Sequence, residues 1–402
     1  MTPTFFELLD LAARWVHVIA GIMWVGNSML FNWLDRTLAP SSRVGEGLQG
    51  ESWLLHSGGF YFIEKTQLVG QPLPRTLHWF KWQAYITWIS GAVLLVAVYY
   101  AGERAAIADP TVASLTHATA VAVGVGAIVL GVGVYELIQR LVGPRAPTLA
   151  NAILLVAFVA VVYALTHLLS GRAAFLHVGA MLASIMAGNV AMTIIPSQRE
   201  LVKSVAGAGR ADPVISARAK RVSINNNYIT FPVIALMVSA HFPSVYSNRW
   251  SWLLLLVIVA AGAAVRHFMN VRFTTSWWRS ALIGTVAAAA VALCVLLTIG
   301  SPSADASTAA AGVPAVVTFA DARHVIDRRC AACHSLQPSD SAFGAAPAGV
   351  AFDLPAQIQS HAARIRERAV VTRTMPPANT THITEQERAI LGRWIAQGAH
   401  GP

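Results

Sequence analysis

Near the end of the 402-residue chain, the stretch DRRCAACHSLQPSD sets Cys330, Cys333 and His334 in a C-x-x-C-H spacing. Two thiols followed at once by an imidazole form the pattern that attaches a porphyrin, in which the thiols bond its vinyl groups and the imidazole is carried to the iron. The spacing therefore predicts one covalent haem c with His334 as an iron ligand. Downstream, TRTMPPANTTHIT presents Met375 ahead of two prolines that fix the loop. A thioether opposite an imidazole favours reduced iron and raises the potential, which suits electron transfer. A zinc site would need two more ligands at sensible spacing, yet the only other cysteine, Cys294, falls inside an apolar stretch. Dithiol exchange belongs in a thioredoxin-like βαβ setting, which this pattern lacks.

A second set of chemically capable residues lies in apolar surroundings, where histidines are costly and are functional candidates by default. His17, His177 and His241 are the candidate catalytic residues, as bases for substrate or water or as holders of a haem b. His17 shares a helix face with Trp24, and HVGAMLASIMAGNVAMTIIP after His177 carries small residues that permit close helix packing. His117, His167 and His78 stand near segment ends and read as interfacial. A competing set comprises His56, Glu64, Lys65, His78, Lys81, Asn226, Tyr228, His267 and Asn270, toward the opposite face. No two of the thirteen histidines lie closer than ten residues, which excludes the adjacent pairs that a haem–copper oxidase core uses.

The elements that must position these residues are membrane helices. The chain is 55% hydrophobic and 12% charged, with a mean hydropathy of +0.55, far too few charges to clothe a soluble globule. About eight spans are expected, near 11–33, 77–101, 115–139, 150–169, 174–195, 228–243, 249–267 and 278–300. The net charge of +10 belongs to topology rather than to nucleic acid. Loops 34–76, 140–149, 196–227 and 268–279 carry fourteen lysines and arginines, whereas the alternate loops offer Arg104, Arg172 and Arg249. The positive-inside rule makes the first set cytoplasmic and both termini external. No lysine or arginine precedes Arg14, so the first helix reads as retained rather than as a cleaved signal.

Residues 1–300 are thus expected to form an all-α, polytopic membrane domain. Residues 301–317, rich in Ser, Ala, Gly and Pro, read as a flexible linker, and 318–402 as a small class I-type cytochrome c domain. Thr318 with Asp321 and Thr384 with Glu387 open two amphipathic helices through capping boxes.

The segments WVHVIAGIMWVGNSMLF, HSGGFYFIEK, LHWFKWQAYITWISG, NNNYITFPVIALMVSAHFP and RHFMN, joined to a C-terminal cytochrome c, resemble the bacterial membrane-bound urate hydroxylases, or cytochrome c urate oxidases. The resemblance covers nearly the whole chain. It implies oxidation of urate to 5-hydroxyisourate at the bacterial inner membrane, with the cytochrome domain periplasmic. Electrons would pass to the haem and on to a respiratory acceptor, such as a soluble cytochrome c or a terminal oxidase. The family's haem ligands fall on Cys330, Cys333, His334 and Met375. Two other functions fit the residues alone: a membrane-anchored electron carrier, and a cytochrome-linked dehydrogenase for another small metabolite.

Overall fold

The computed structural model describes residues 3–40, 47–68, 72–101, 104–207, 212–300, 313–340 and 345–402. Residues 301–312 of the expected linker, and Arg43 and Arg210 of the charge count, lie outside them. The long helices are α1 (Pro3–Thr37), α2 (Trp82–Leu95, continued by a π turn over Val96–Tyr100), α4 (His117–Leu141), α5 (Pro147–Leu168) and α6 (Gly171–Asn189). A second π turn, Val190–Ile194, joins α6 to α7 (Ile195–Ala206), and α8 (Pro213–Ser239), α10 (Ser251–Val271) and α11 (Trp278–Gly300) complete the bundle. Short α3 (Arg104–Ile107) and α9 (Pro243–Tyr246) cap one end.

Among the described residues, seven helices are long and apolar enough to cross a membrane. The sixth expected span, 228–243, overlaps the second half of α8, whose first half carries Arg218, Lys220, Arg221 and three asparagines and so dilutes its apolar character. Packing of α8 against α6 and α10 makes it part of the bundle all the same. Pro232 sits inside α8 without ending it. At this level α10 presents Gly262, where an added Cβ would come within 2.9 Å of the Pro232 nitrogen, so only a glycine lets the two backbones approach so closely.

α6 is the central helix, burying Ala173, Ala174, Phe175, His177, Val178 and Met181. α4 reaches it through two glycines one heptad apart: a Cβ on Gly124 would lie 2.5 Å from His177 Nε2, and one on Gly131 would strike the Met181 thioether. Small residues at the contact are the usual basis of helix association where solvent is hydrocarbon.

The all-α expectation needs one amendment. Loop 34–76 contains an antiparallel hairpin, β1 (Leu48–His56) and β2 (Gly59–Thr66), with His56 opposite Gly59. The connecting residues Ser57 and Gly58 both have positive φ (51° and 76°), the two-residue turn that matches strand twist. The loop's charges and its position between two spans hid the Ser-Gly-Gly signal.

In the C-terminal domain both capping boxes form, at the starts of α12 (Phe319–Arg329) and α15 (Glu385–Ala396). The two helices cross with Phe319 edge-on to Trp394, centroids 5.9 Å apart, and Arg329 grips Glu387 at 3.0 and 3.1 Å. Between them run α13 (Pro355–Ser360) and α14 (Ala362–Ile365). Val325, Ile326, Phe352, Ile358, Leu391 and Trp394 form the buried centre.

Candidate functional site

The C-x-x-C-H motif follows the end of α12, whose C-cap is Cys330. The amides of Cys333 and His334 both donate to the Cys330 carbonyl, at 3.2 and 2.9 Å, a turn that holds thiols and imidazole together. Neither cysteine is in a disulfide, and desolvation pushes the Cys330 thiol up to about 12. His334 Nδ1 donates to the Val350 carbonyl at 2.8 Å, which leaves Nε2 as the lone-pair nitrogen. Fixing a ligand's tautomer through its other nitrogen is how proteins orient imidazoles toward metals. Phe352 lies against the ring, centroids 5.2 Å apart, and its amide donates to the His334 carbonyl at 2.8 Å.

Met375 is held through its backbone. Its amide donates to the Arg368 carbonyl at 3.0 Å, and its carbonyl accepts from Arg388 Nη1 at 3.0 Å. Arg388 is buried and also donates to the Ala369 carbonyl. A buried guanidinium spent on two carbonyls is a clamp on the loop. Two unbridged thiols, an imidazole with a free Nε2 and a clamped methionine fit a covalently attached porphyrin iron. The loop beyond Met375 packs, at Pro377–Asn379, against α3, which sets this loop on the end of the bundle where α2 finishes.

The three membrane histidines occupy three different settings. His17, half-buried, has Nδ1 2.9 Å from the Thr87 carbonyl and 3.1 Å from Ser90 Oγ on α2. His177 is fully buried, and Nδ1 donates to the Ala173 carbonyl at 2.7 Å. Its Nε2 therefore accepts from the Tyr100 hydroxyl at 3.0 Å. His241 is exposed where α8 ends. Since Ser90 and Tyr100 are ten residues apart on one helix, about 15 Å separates the settings of His17 and His177. The structure does not bring the three together. His117 joins the His177 surroundings instead, with Nε2 donating to the Tyr100 carbonyl at 2.9 Å.

The opposite half of the bundle is more convergent. Asn225, Asn226 and Asn227 succeed one another around α8, and each 100° step meets a different helix. Asn225 donates to Tyr135 of α4 at 2.9 Å; Asn226 accepts from Asn189 of α6 at 2.8 Å and donates to the Met186 carbonyl at 3.0 Å. Asn227 Oδ1 accepts from Arg266 Nε at 3.1 Å and from Asn270 Nδ2 at 2.7 Å, both on α10. Asn270 in turn accepts from Asn32 of α1 at 2.9 Å. Beside this ladder, the Tyr228 hydroxyl bonds His267 Nδ1 at 2.8 Å. Of the competing set, Asn226, Tyr228, His267 and Asn270 thus meet here. His56, Glu64 and Lys65 lie on the hairpin instead, with Lys65 paired to Asp35 at 2.6 Å.

Arg266 was not among the sequence candidates. The signal was present: it is a cation inside an apolar span that contains no acid. Arginine in such a place marks a function by default.

The family model described as Urate oxidase N-terminal matches residues 3–299. Comparison with curated proteins and with solved structures gives no match. The matched segment runs through all the bundle helices and stops before the haem-motif domain, and on this match the chain belongs to the urate oxidase N-terminal family.

Proposed function

We propose that the protein is a membrane-bound, cytochrome c-linked urate hydroxylase. Urate and water give 5-hydroxyisourate, two electrons and two protons, and the electrons leave through the C-terminal domain to a respiratory acceptor. The observation that carries this reading is the donor set around Cys330, Cys333, His334 and Met375 on the same chain as a urate oxidase family bundle. A covalent haem c would supply a one-electron acceptor, so each urate requires two transfers. The chain's own part is to hold that acceptor at a fixed potential and to bind the substrate. Val350 fixes the His334 tautomer, and Arg388 fixes the Met375 loop. The packing of Pro377–Asn379 on α3 keeps the loop against the bundle. Seven apolar helices support a bilayer as the setting, and the cation distribution supports a periplasmic haem domain.

The test is spectroscopic. Urate added to oxidised membranes containing the protein should raise the reduced haem Soret and α bands, and a pyridine haemochrome spectrum should be purely c-type. Reduction by a different small metabolite but not urate would identify another dehydrogenase. Reduction by none would leave an anchored electron carrier.

A further inference from the structure

Two arginines in the described residues are buried, Arg388 and Arg266. Arg388 gives Nη1 to two backbone carbonyls and lies in the field of Glu385 and Glu387. Arg266 differs. It is 2% exposed, its Nη2 has no hydrogen-bond partner, and among the described residues no carboxylate pairs with it. Its only hydrogen bond is to a neutral amide, Asn227 Oδ1. The charged groups that act on it are two further cations, Arg272 and Arg36. Removing an ion from water without a counter-ion costs several kcal/mol, and a water on Nη2 would satisfy the donor but not the charge. The place calls for an anion.

The surroundings narrow its class. Phe231 lies under the guanidinium, 5.3 Å from ring centroid to Cζ, so a flat ligand in the guanidinium plane would share that aromatic floor. Asn227 and Asn270 carry both amide donors and acceptors, which match a ligand edge of alternating N–H and C=O groups. A guanidinium fork binds a delocalised oxyanion better than an ammonium does. We propose that Arg266 anchors a binding site for a planar oxopurine monoanion, urate on the reading above, between α8 and α10. Arg266 lies five residues inside the end of α10 and faces the bundle interior, so the ligand must enter the protein rather than rest against it as a lipid headgroup does. The proposal is one of binding and assigns no electron-transfer step to this place.

The experiment measures equilibrium urate binding by calorimetry on the full-length protein in detergent, with its haem already reduced by dithionite so that urate is not turned over. The wild type is compared with Arg266→Lys, Arg266→Met and Asn227→Asp. The last is nearly isosteric, keeps an acceptor for Arg266 Nε and supplies the missing carboxylate. The site predicts that Lys weakens urate at least about tenfold, Met abolishes binding, and Asp both abolishes binding and raises the melting temperature by neutralising Arg266 internally. Reduction of the haem by dithionite and its potential should be unchanged throughout. If Met prevents folding, Lys and Asp still decide. Unchanged urate affinity in the folded variants overturns the site, as does loss of a b-type haem signal in them, which would make the anion a porphyrin propionate. If the wild type neither binds nor is reduced by urate, the urate reading falls. Thermal shift with xanthine and inorganic phosphate then judges the anion site alone. Stabilisation by xanthine, present in the wild type and absent in Arg266→Met, keeps it. Stabilisation by phosphate alone, or by neither, overturns it.

Discussion

Met375 and His334 are treated differently by the chain. His334 is oriented through its side chain, by the bond from Nδ1 to Val350, whereas Met375 is oriented only through its backbone, by Arg368 and Arg388. Replacing Met375 by Ala should therefore leave covalent haem in place, lower its potential and admit exogenous ligands to the iron, as redox titration and cyanide binding would report. The nearest substitutes in sequence are poorly set: His382 is exposed, and His361 Nδ1 is 2.8 Å from the Gln357 carbonyl. An unchanged potential in Met375→Ala would place the sixth ligand elsewhere. Glu387 supplies a pH prediction. Partial burial would raise its carboxyl, but the Thr384 amide and Arg329 outweigh that and hold it below its ordinary 4.5. A depressed carboxylate gives stability that is present above the unfolded value and is lost as pH falls through the folded one. Thermal unfolding of the C-terminal domain should thus shift to lower temperature as pH drops below 4.5. Glu387→Gln should flatten that dependence and lower stability at neutral pH.

At the scale of elements, contact between α4 and α6 depends on what α4 lacks. An added Cβ at Gly124 would meet His177 Nε2 at 2.5 Å, the nitrogen that accepts from Tyr100. Gly124→Val should part α4 from α6 or eject the imidazole, a destabilisation of about 1–3 kcal/mol or more. Thermal melting of the purified protein measures it, with Tyr100→Phe as the companion that removes only the hydroxyl. A melt unchanged by Gly124→Val would mean that the α4–α6 contact is looser than described. The two π turns of the bundle, over Val96–Tyr100 and Val190–Ile194, follow the same logic. One presents Tyr99 and Tyr100 to His177; the other follows Asn189, which bonds Tyr135 and Asn226. π turns concentrate at functional places because they re-aim a helix face.

For the whole molecule, the bundle carries its polar chemistry at two levels. The end that meets the C-terminal domain holds His177, Tyr100 and His117, and the cation-rich end holds the asparagine ladder and Arg266. The charge count predicts that the cation-rich end is cytoplasmic and that the haem domain lies across the membrane from it. Reporter fusions after Pro302 should be active only when the reporter is one that works outside the cytoplasm. Activity of a cytoplasm-only reporter there would overturn the topology and, with it, covalent haem attachment.

Much was legible in the sequence because the signals are local or periodic. The spans, both capping boxes and the C-x-x-C-H turn depend on residues within a few positions of one another, and the structure keeps seven of the eight spans, both boxes and the turn. The α8 helix begins well before its expected span because residues 213–227 are polar and cationic and give no hydropathy signal, and only the approach of Gly262 from α10 shows how closely it packs at Pro232. The hairpin was missed because turn chemistry in a charged loop is a weak signal beside hydropathy. Which histidines meet was not legible at all: His17, His177 and His241 look equivalent in sequence, yet packing buries one, half-buries another and exposes the third. Arg266 makes the same point from the other side. The sequence fixes that a cation lies in an apolar span, but whether it has a counter-ion depends on side chains from α1 and α8, more than thirty positions away along the chain. Pairing of charges across a bundle is decided by helix rotation and depth, which only the tertiary structure sets.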